Sequence, residues 1–192
     1  MKHDSFPYGH AAGEDWSSTL TKALATIPED FPATLGFLYV TDGFEADLPA
    51  ILSALQQRFP GVAWVGSIGI GICATSTEYL DEKALALMLT DLPREDFQVF
   101  HGMAPYGTEG WKLANGSTPF FAVVHGDPHS GDLSAQVADL ASRTSSGFLV
   151  GGVSSSRAEG AQIAGDIVHG GLSGVVLSER VAVVTRLTQG CS

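Results

Sequence analysis

Two segments of this chain follow the same plan, and that correspondence constrains the fold more than any other feature. The run GFLYVTDG, residues 36–43, is followed by a helical pattern, the strand WVGS and the apolar run ALALML. The run PFFAVVHGD, residues 119–127, is followed in the same order by a helical pattern, FLVGGVSS and SGVVLS. A matched order of elements is typical of an internal repeat. The sequence therefore predicts two tandem strand-helix-strand-strand units, about residues 34–102 and 118–188.

The predicted fold class is α/β, with both units packed into one compact domain. Its sheets should be mixed, because closing hairpins place antiparallel neighbours beside any parallel pair. One hairpin is predicted between ALALML and FQVFHGM, and another at the glycine pair 170–171. The run RVAVVTRLT is predicted to be a closing strand.

Composition excludes several classes of partner. The 192-residue chain carries a formal net charge of -11, and an acidic surface repels nucleic-acid phosphates and anionic lipid headgroups. No stretch approaches the roughly 20 apolar residues that span a bilayer, and the N-terminus lacks the apolar core of a signal peptide. Its two cysteines, Cys73 and Cys191, are too few for a disulfide framework. The prediction is a cytoplasmic protein with neither a nucleic-acid nor a membrane partner, and with Cys73 as a buried thiol.

The candidate site lies where the second strand of each unit ends. Both strands end in glycine followed by small polar residues, in WVGSIGIG and LVGGVSSS. Ligands of α/β sheets bind at the carboxyl ends of strands, where glycine lets backbone N–H groups approach and serine adds donors. Alternatively, the glycines only allow a sharp exit from the sheet. The predicted ligand-binding residues are Gly66, Ser67, Asp127, Gly151, Gly152, Ser154 and Ser155.

An amino acid is the first hypothesis for the ligand. If the units pack about a pseudo-twofold axis, the two glycine-serine turns meet across it. Backbone N–H groups there would suit a carboxylate, and Asp127 would suit an amine.

The stretch HGDPHSGD admits a second chemistry. His125, Asp127 and His129 alternate along the chain, and imidazole with carboxylate could hold a divalent metal. That arrangement would suit a metal-dependent hydrolase. The other interpretation is a polar loop, with a turn at Asp127 and a helix cap at Asp132 or Ser130. No metal ligand and no catalytic residue is predicted.

The order of these features resembles the N-terminal FIST (F-box and intracellular signal transduction) domain. The resemblance rests on GHAAGEDW, on residues 64–93, on the Asp-Pro, helix and Gly-Gly-x-x-Ser series, and on VVTRLTQGCS at the end. It covers nearly the whole chain. Ser67 stands where that family often has cysteine, and the family usually continues past its Gln-Gly-Cys into a C-terminal domain. The expectation is one FIST N-terminal-like domain over residues 1–192, with the usual C-terminal half absent from this chain.

The resemblance implies an intracellular sensory module that binds a small ligand and has no established catalytic residues. A C-terminal FIST domain or another signalling protein is the expected partner. Some members of the family are haem-binding nitric-oxide sensors, so a haem-binding gas sensor is one alternative, and a ligand-free interaction scaffold is another. No cofactor is predicted, and the protein is expected to be colourless. Its candidate histidines, at positions 101, 125, 129 and 169, lie beside glycine, aspartate or proline at strand ends.

Overall fold

The computed structural model describes residues 6–102, 110–157 and 160–186. Its helices are α1 (Trp16–Leu24), α2 (Leu48–Arg58) and α3 (Leu133–Arg143), with short 3-10 helices at Asp42–Asp47 and Arg94–Asp96. The strands are β1 (Tyr8–Ala12), β2 (Leu35–Thr41), β3 (Ala63–Gly69), β4 (Gly71–Ala74), β5 (Thr77–Leu80), β6 (Ala84–Thr90), β7 (Phe97–His101), β8 (Phe121–Gly126), β9 (Phe148–Val153), β10 (Gln162–Ala164), β11 (Ile167–Val168) and β12 (Leu172–Leu177).

The two larger sheets share one pairing pattern. Sheet 1 has the order β1-β6-β2-β3-β10-β11, and sheet 2 has the order β7-β12-β8-β9. In each, two antiparallel pairs are followed by a parallel pair, β2 with β3 in sheet 1 and β8 with β9 in sheet 2. Strands β4 and β5 form a separate hairpin. The predicted α/β class with mixed sheets is confirmed, while the unit boundaries at 34–102 and 118–188 stay a prediction.

The two sheets pack face to face, with helices on the outside. Because side chains alternate along a strand, each sheet has two distinct faces. Leu38 and Val40 of β2 pack against α1 and α2, whereas Leu35 belongs to a core that it shares with Phe121 and Val175 of sheet 2. The outer face of sheet 2 packs against Leu140 of α3. The layers therefore run helix, sheet, sheet, helix, and residues on the inner faces meet across the sheet interface.

Local capping agrees with the sequence patterns. Asp15 Oδ1 accepts a hydrogen bond from the Ser18 N–H at 2.9 Å at the start of α1. Asp132 Oδ1 accepts one from the Ala135 N–H at 2.9 Å, so Asp132 rather than Ser130 caps α3. Within the described residues, no helix is both long enough and apolar enough to cross a membrane.

The structure corrects both predicted hairpins. β6 and β7 lie in different sheets, because the chain crosses from sheet 1 to sheet 2 through the 3-10 helix Arg94–Asp96. The glycine pair 170–171 likewise links sheet 1 to sheet 2, and the hairpin in that region is β10 with β11. An apolar run predicts a strand but does not identify the sheet that the strand joins.

Two smaller predictions are also wrong. Residues 180–186 of the predicted closing strand form no strand, although Val181 and Val183 pack against the core between the sheets. The last residues of that run, with Cys191, lie outside the described residues. Cys73 is exposed rather than buried, because β4 belongs to the surface hairpin.

Candidate functional site

The carboxyl ends of the two parallel strand pairs meet around one cavity of about 260 Å³, here called the polar cavity. Two hydrogen bonds join the segments that follow β3 and β9. The Ser154 hydroxyl donates to the carbonyl oxygen of Ile68 at 2.7 Å, and the Ile70 N–H donates to Ser155 Oγ at 3.3 Å. The end of β3 and the segment after β9 thus lie side by side. The predicted turns at Gly66 and Gly151 are wrong, because both glycines lie inside strands.

The structure divides the predicted site residues into two groups. Those that line the polar cavity are Ser67, Gly151, Gly152, Ser154 and Ser155. Gly66 and Asp127 lie outside its lining. The cavity lining also includes Tyr39 and His125, which the sequence analysis did not select as ligand-binding residues.

Gly66 and Gly151 occupy equivalent places in the two sheets and are needed for strand packing. Gly66 lies opposite Leu38 in the parallel pair of sheet 1, and Gly151 lies opposite Val124 in that of sheet 2. A Cβ atom on Gly66 would lie 1.7 Å from the Leu38 carbonyl oxygen, and one on Gly151 would lie 1.8 Å from the Val124 carbonyl oxygen. A Cβ on Gly152 would meet nothing within 4 Å. Glycine therefore serves packing at positions 66 and 151, and leaves open space at 152.

Tyr39 and His125 meet across the interface between the sheets. Tyr39 belongs to β2 and His125 to β8, and the Tyr39 hydroxyl oxygen lies 3.1 Å from His125 Nε2. Each side chain is the last of a series of inward-facing residues on its strand. The series on β2 is Leu35, Phe37 and Tyr39, and that on β8 is Phe121, Val123 and His125. A polar residue at the end of a stripe of inward-facing apolar residues is the sequence signal that could have identified this pair.

The protonation of this pair follows from its burial. Burial lowers the pKa of His125 to about 4 and raises the pKa of Tyr39, so both groups are neutral at pH 7. His125 Nδ1 is buried and has no hydrogen-bond partner among the described residues. If Nδ1 carried the proton, a buried N–H would have no acceptor, which lowers stability more than an unprotonated ring nitrogen without a donor does. The proton is therefore favoured on Nε2, which donates it to the Tyr39 hydroxyl oxygen. The Tyr39 O–H is then left to donate to a ligand.

Residues 34–192, which include every residue that lines the polar cavity, match the family model of the FIST N domain. The chain belongs to the FIST N domain family. FIST domains are sensory domains of signal transduction. A comparison with curated proteins finds no significant match.

Asp127 organises a turn of this FIST N domain. Its carboxylate accepts hydrogen bonds from the His129 N–H at 2.8 Å and from the Ser130 hydroxyl at 2.9 Å. Burial alone would raise the pKa of Asp127, but these hydrogen bonds outweigh that effect and lower it. The described residues contain no group of three or more histidine, cysteine, aspartate or glutamate side chains that could hold a metal. The hydrogen bonds of Asp127 to His129 and Ser130 form the turn that the polar-loop interpretation describes.

Arg157 anchors the segment that follows β9 in the FIST N domain. Its Nε donates to Asp42 Oδ2 at 2.8 Å, and one of its terminal nitrogens lies 3.0 Å from Asp81 Oδ1. The hydrogen bond from Arg157 is the main reason that the pKa of Asp42 is lowered. Asp42 follows β2 and Asp81 follows β5, so the guanidinium joins the segment after β9 to two other segments. These three residues line a separate pocket and not the polar cavity.

His125 should make the stability of the FIST N domain depend on pH. Its folded-state pKa of about 4 lies below the usual 6.5, so the unfolded chain takes up the proton first as the pH falls. Stability is therefore fully present above about pH 6.5 and is lost as the pH falls toward 4. Linkage gives a loss of about 2 kcal/mol between pH 7.5 and pH 5.

Urea unfolding of the wild type and a His125→Gln variant at several pH values checks this prediction. Between pH 7.5 and pH 5, the free energy of unfolding of the variant should fall by about 2 kcal/mol less than that of the wild type. All other titrating groups are the same in the two proteins. Identical pH profiles would show that His125 is not held neutral in the folded state.

Proposed function

We propose that this chain is a non-enzymatic sensory domain that binds a small ligand in the polar cavity, with Ser67, Gly152 and Ser155 among its contacts. The observation that carries the proposal is the meeting of two equivalent strand ends around one cavity. Gly66 and Gly151 support the site by allowing the strands to approach closely, and Asp127 supports it by fixing the neighbouring turn. A C-terminal FIST domain or another signalling protein would respond to the bound state. The proposal places the domain in the cytoplasm, where the free thiol of Cys73 stays reduced.

The lining favours a neutral hydrogen-bonding ligand group. Its described residues supply hydroxyls, backbone groups and a neutral imidazole beside aliphatic side chains such as Ile68 and Ile72, but no ionised side chain at pH 7. The amine of an amino acid would find no carboxylate there, since Asp127 lies outside the lining. An amino acid remains a candidate through its carboxylate, which backbone N–H groups could bind. A neutral group such as a primary amide matches the lining better, because it both donates and accepts hydrogen bonds.

Thermal-shift and calorimetric titrations with the common amino acids and small primary amides test the proposal. A ligand at a hundredfold excess over its Kd should stabilise the fold by about 2.7 kcal/mol. Ser155→Ala should weaken binding by tenfold or less, since one neutral hydrogen bond contributes about 0.5 to 1.5 kcal/mol.

Ser17→Ala, on the exposed surface of α1, is the matched control and should bind like the wild type. Binding that is equally weakened in both variants would place the ligand elsewhere. A panel in which no compound stabilises the protein would contradict the proposal and favour an interaction scaffold.

A further inference from the structure

An apolar groove of about 490 Å³ adjoins the polar cavity. It lies along the inner face of β1, β6 and β2, beside the turn between β4 and β5. Phe37, Ala86 and Met88 contribute its apolar surface, whereas Tyr39 and Val123 line both spaces. The polar cavity and this apolar groove are therefore neighbours that share two walls.

Tyr39 marks the change of chemistry between the two spaces. Its hydroxyl lies beside His125 in the polar cavity, while the same side chain also lines the apolar groove. The residue is 36% exposed, and Tyr8 on the far side of the groove is 48% exposed. Apolar surface that stays open to water beside a polar cavity is typical of a ligand-binding groove.

The two spaces share Tyr39 and Val123 in their linings, and their volumes can be compared with those of known ligand pockets. The polar cavity alone is smaller than the range of about 300 to 1,000 Å³ typical of ligand pockets. The cavity and groove together fall within that range. Pockets of this kind combine a largely apolar lining with a few polar groups that fix orientation. Here the hydroxyls of Ser67 and Ser155 and the His125 ring lie on one side of Tyr39, and the more apolar groove lies on the other.

We propose that the ligand is amphipathic, with a neutral hydrogen-bonding head in the polar cavity and an apolar tail in the apolar groove. This inference rests on the proposed function and names its ligand class, of which a medium-chain primary amide is the simplest member. A carboxylate head is disfavoured because the described lining of both spaces contains no lysine or arginine and the chain carries a net charge of -11. Tyr39 contacts both parts of the ligand.

Calorimetric titration with butanamide, hexanamide and octanamide tests the proposal. Burial of one methylene favours binding by about 0.8 kcal/mol, which corresponds to an affinity about fourfold tighter for each added carbon. Octanamide should therefore bind on the order of 200-fold tighter than butanamide. Octanoate, which has the same chain length but a charged head, should bind at least about tenfold more weakly than octanamide.

Two variants locate the tail. Ala86 lies opposite both Tyr39 and His10 in sheet 1, so Ala86→Phe fills the middle of the groove. Thr75→Trp fills the groove from the exposed turn between β4 and β5. It replaces Ala86→Phe in the test if that variant does not fold. Each should remove the gain with chain length, so that octanamide binds that variant no more tightly than butanamide does. Gln57→Phe, on the exposed face of α2, controls for the added ring and should bind like the wild type.

The outcomes separate this inference from the proposed function. Butanamide binding without a gain from longer chains overturns the amphipathic ligand and leaves the polar cavity as a binding site. A gain that survives both groove-filling variants also overturns it, because the tail then lies elsewhere. Binding of an amino acid but of no amide overturns the inference while the proposed function stands. A steep chain-length dependence that both variants abolish supports it.

Discussion

Replacing Gly66 by alanine is expected to lower the free energy of unfolding by about 3 to 4 kcal/mol. The new Cβ would lie 1.7 Å from the carbonyl oxygen of Leu38, far inside any allowed contact. β3 is held on one side by β2 and on the other by β10, so it cannot move away without breaking backbone hydrogen bonds. Overpacking of this kind costs about 1 to 3 kcal/mol, and more where the backbone cannot relax.

Gly151→Ala and Gly152→Ala form the comparison series, measured by urea unfolding. The clash at Gly151 is nearly as short, but β9 is the edge strand of sheet 2 and can shift, so a loss of about 1 to 3 kcal/mol is expected. Gly152→Ala should change stability by no more than about 0.5 kcal/mol, because its Cβ meets nothing within 4 Å. Equal stability of all three variants would show that the strands do not approach as closely as described.

Gly152→Val is expected to weaken ligand binding by about a hundredfold while leaving the protein folded. The valine side chain would extend into the open space of the polar cavity, where a Cβ has no neighbour. A ligand that uses this space would then overlap the valine methyl groups, and overpacking of this kind costs about 1 to 3 kcal/mol. Valine is well suited to an edge strand, so the free energy of unfolding should not fall.

Calorimetry with hexanamide and with the best-binding amino acid measures this effect. Gly152→Ala should give an intermediate affinity, since a methyl group takes less of the space. Wild-type affinity in Gly152→Val would mean that the ligand does not use the space beside this residue. A loss of binding accompanied by unfolding would contradict the separation of packing at Gly151 from ligand space at Gly152.

The sequence predicted the fold class because it depends on local patterns, and the same patterns selected the residues of the proposed site, whose binding role stays a prediction. Apolar runs with glycine and serine at their ends mark strand termini wherever those strands are placed. The residues that line the polar cavity at positions 67, 151, 152, 154 and 155 were found in this way. Sequence could not separate a glycine needed for packing from one that leaves open space, since that depends on the distance to the neighbouring strand.

The contacts that sequence missed are long-range ones. Tyr39 and His125 belong to different sheets, and the stacking of those sheets brings them together. The wrong hairpin prediction for β7 has the same cause. This strand comes after β6 of sheet 1 in the chain, but it pairs with β12 of sheet 2. Cys73 was expected to be buried because a free thiol usually behaves as a small apolar side chain, whereas β4 lies in a two-stranded surface hairpin. Strand partners and sheet packing are set by tertiary structure, which local periodicity does not encode.

The central claim is that the two equivalent strand ends form one ligand-binding cavity. An amide-resolved NMR titration of the ¹⁵N-labelled chain with hexanamide tests this most directly, because β3 and β9 report separately. We expect saturable shifts at Ser67 and Gly69 of β3, at Gly152 of β9 and at Ser155 just after it, all with the same Kd. Shifts confined to one strand end, or centred on the acidic surface around Asp42 and Asp81, would contradict the account.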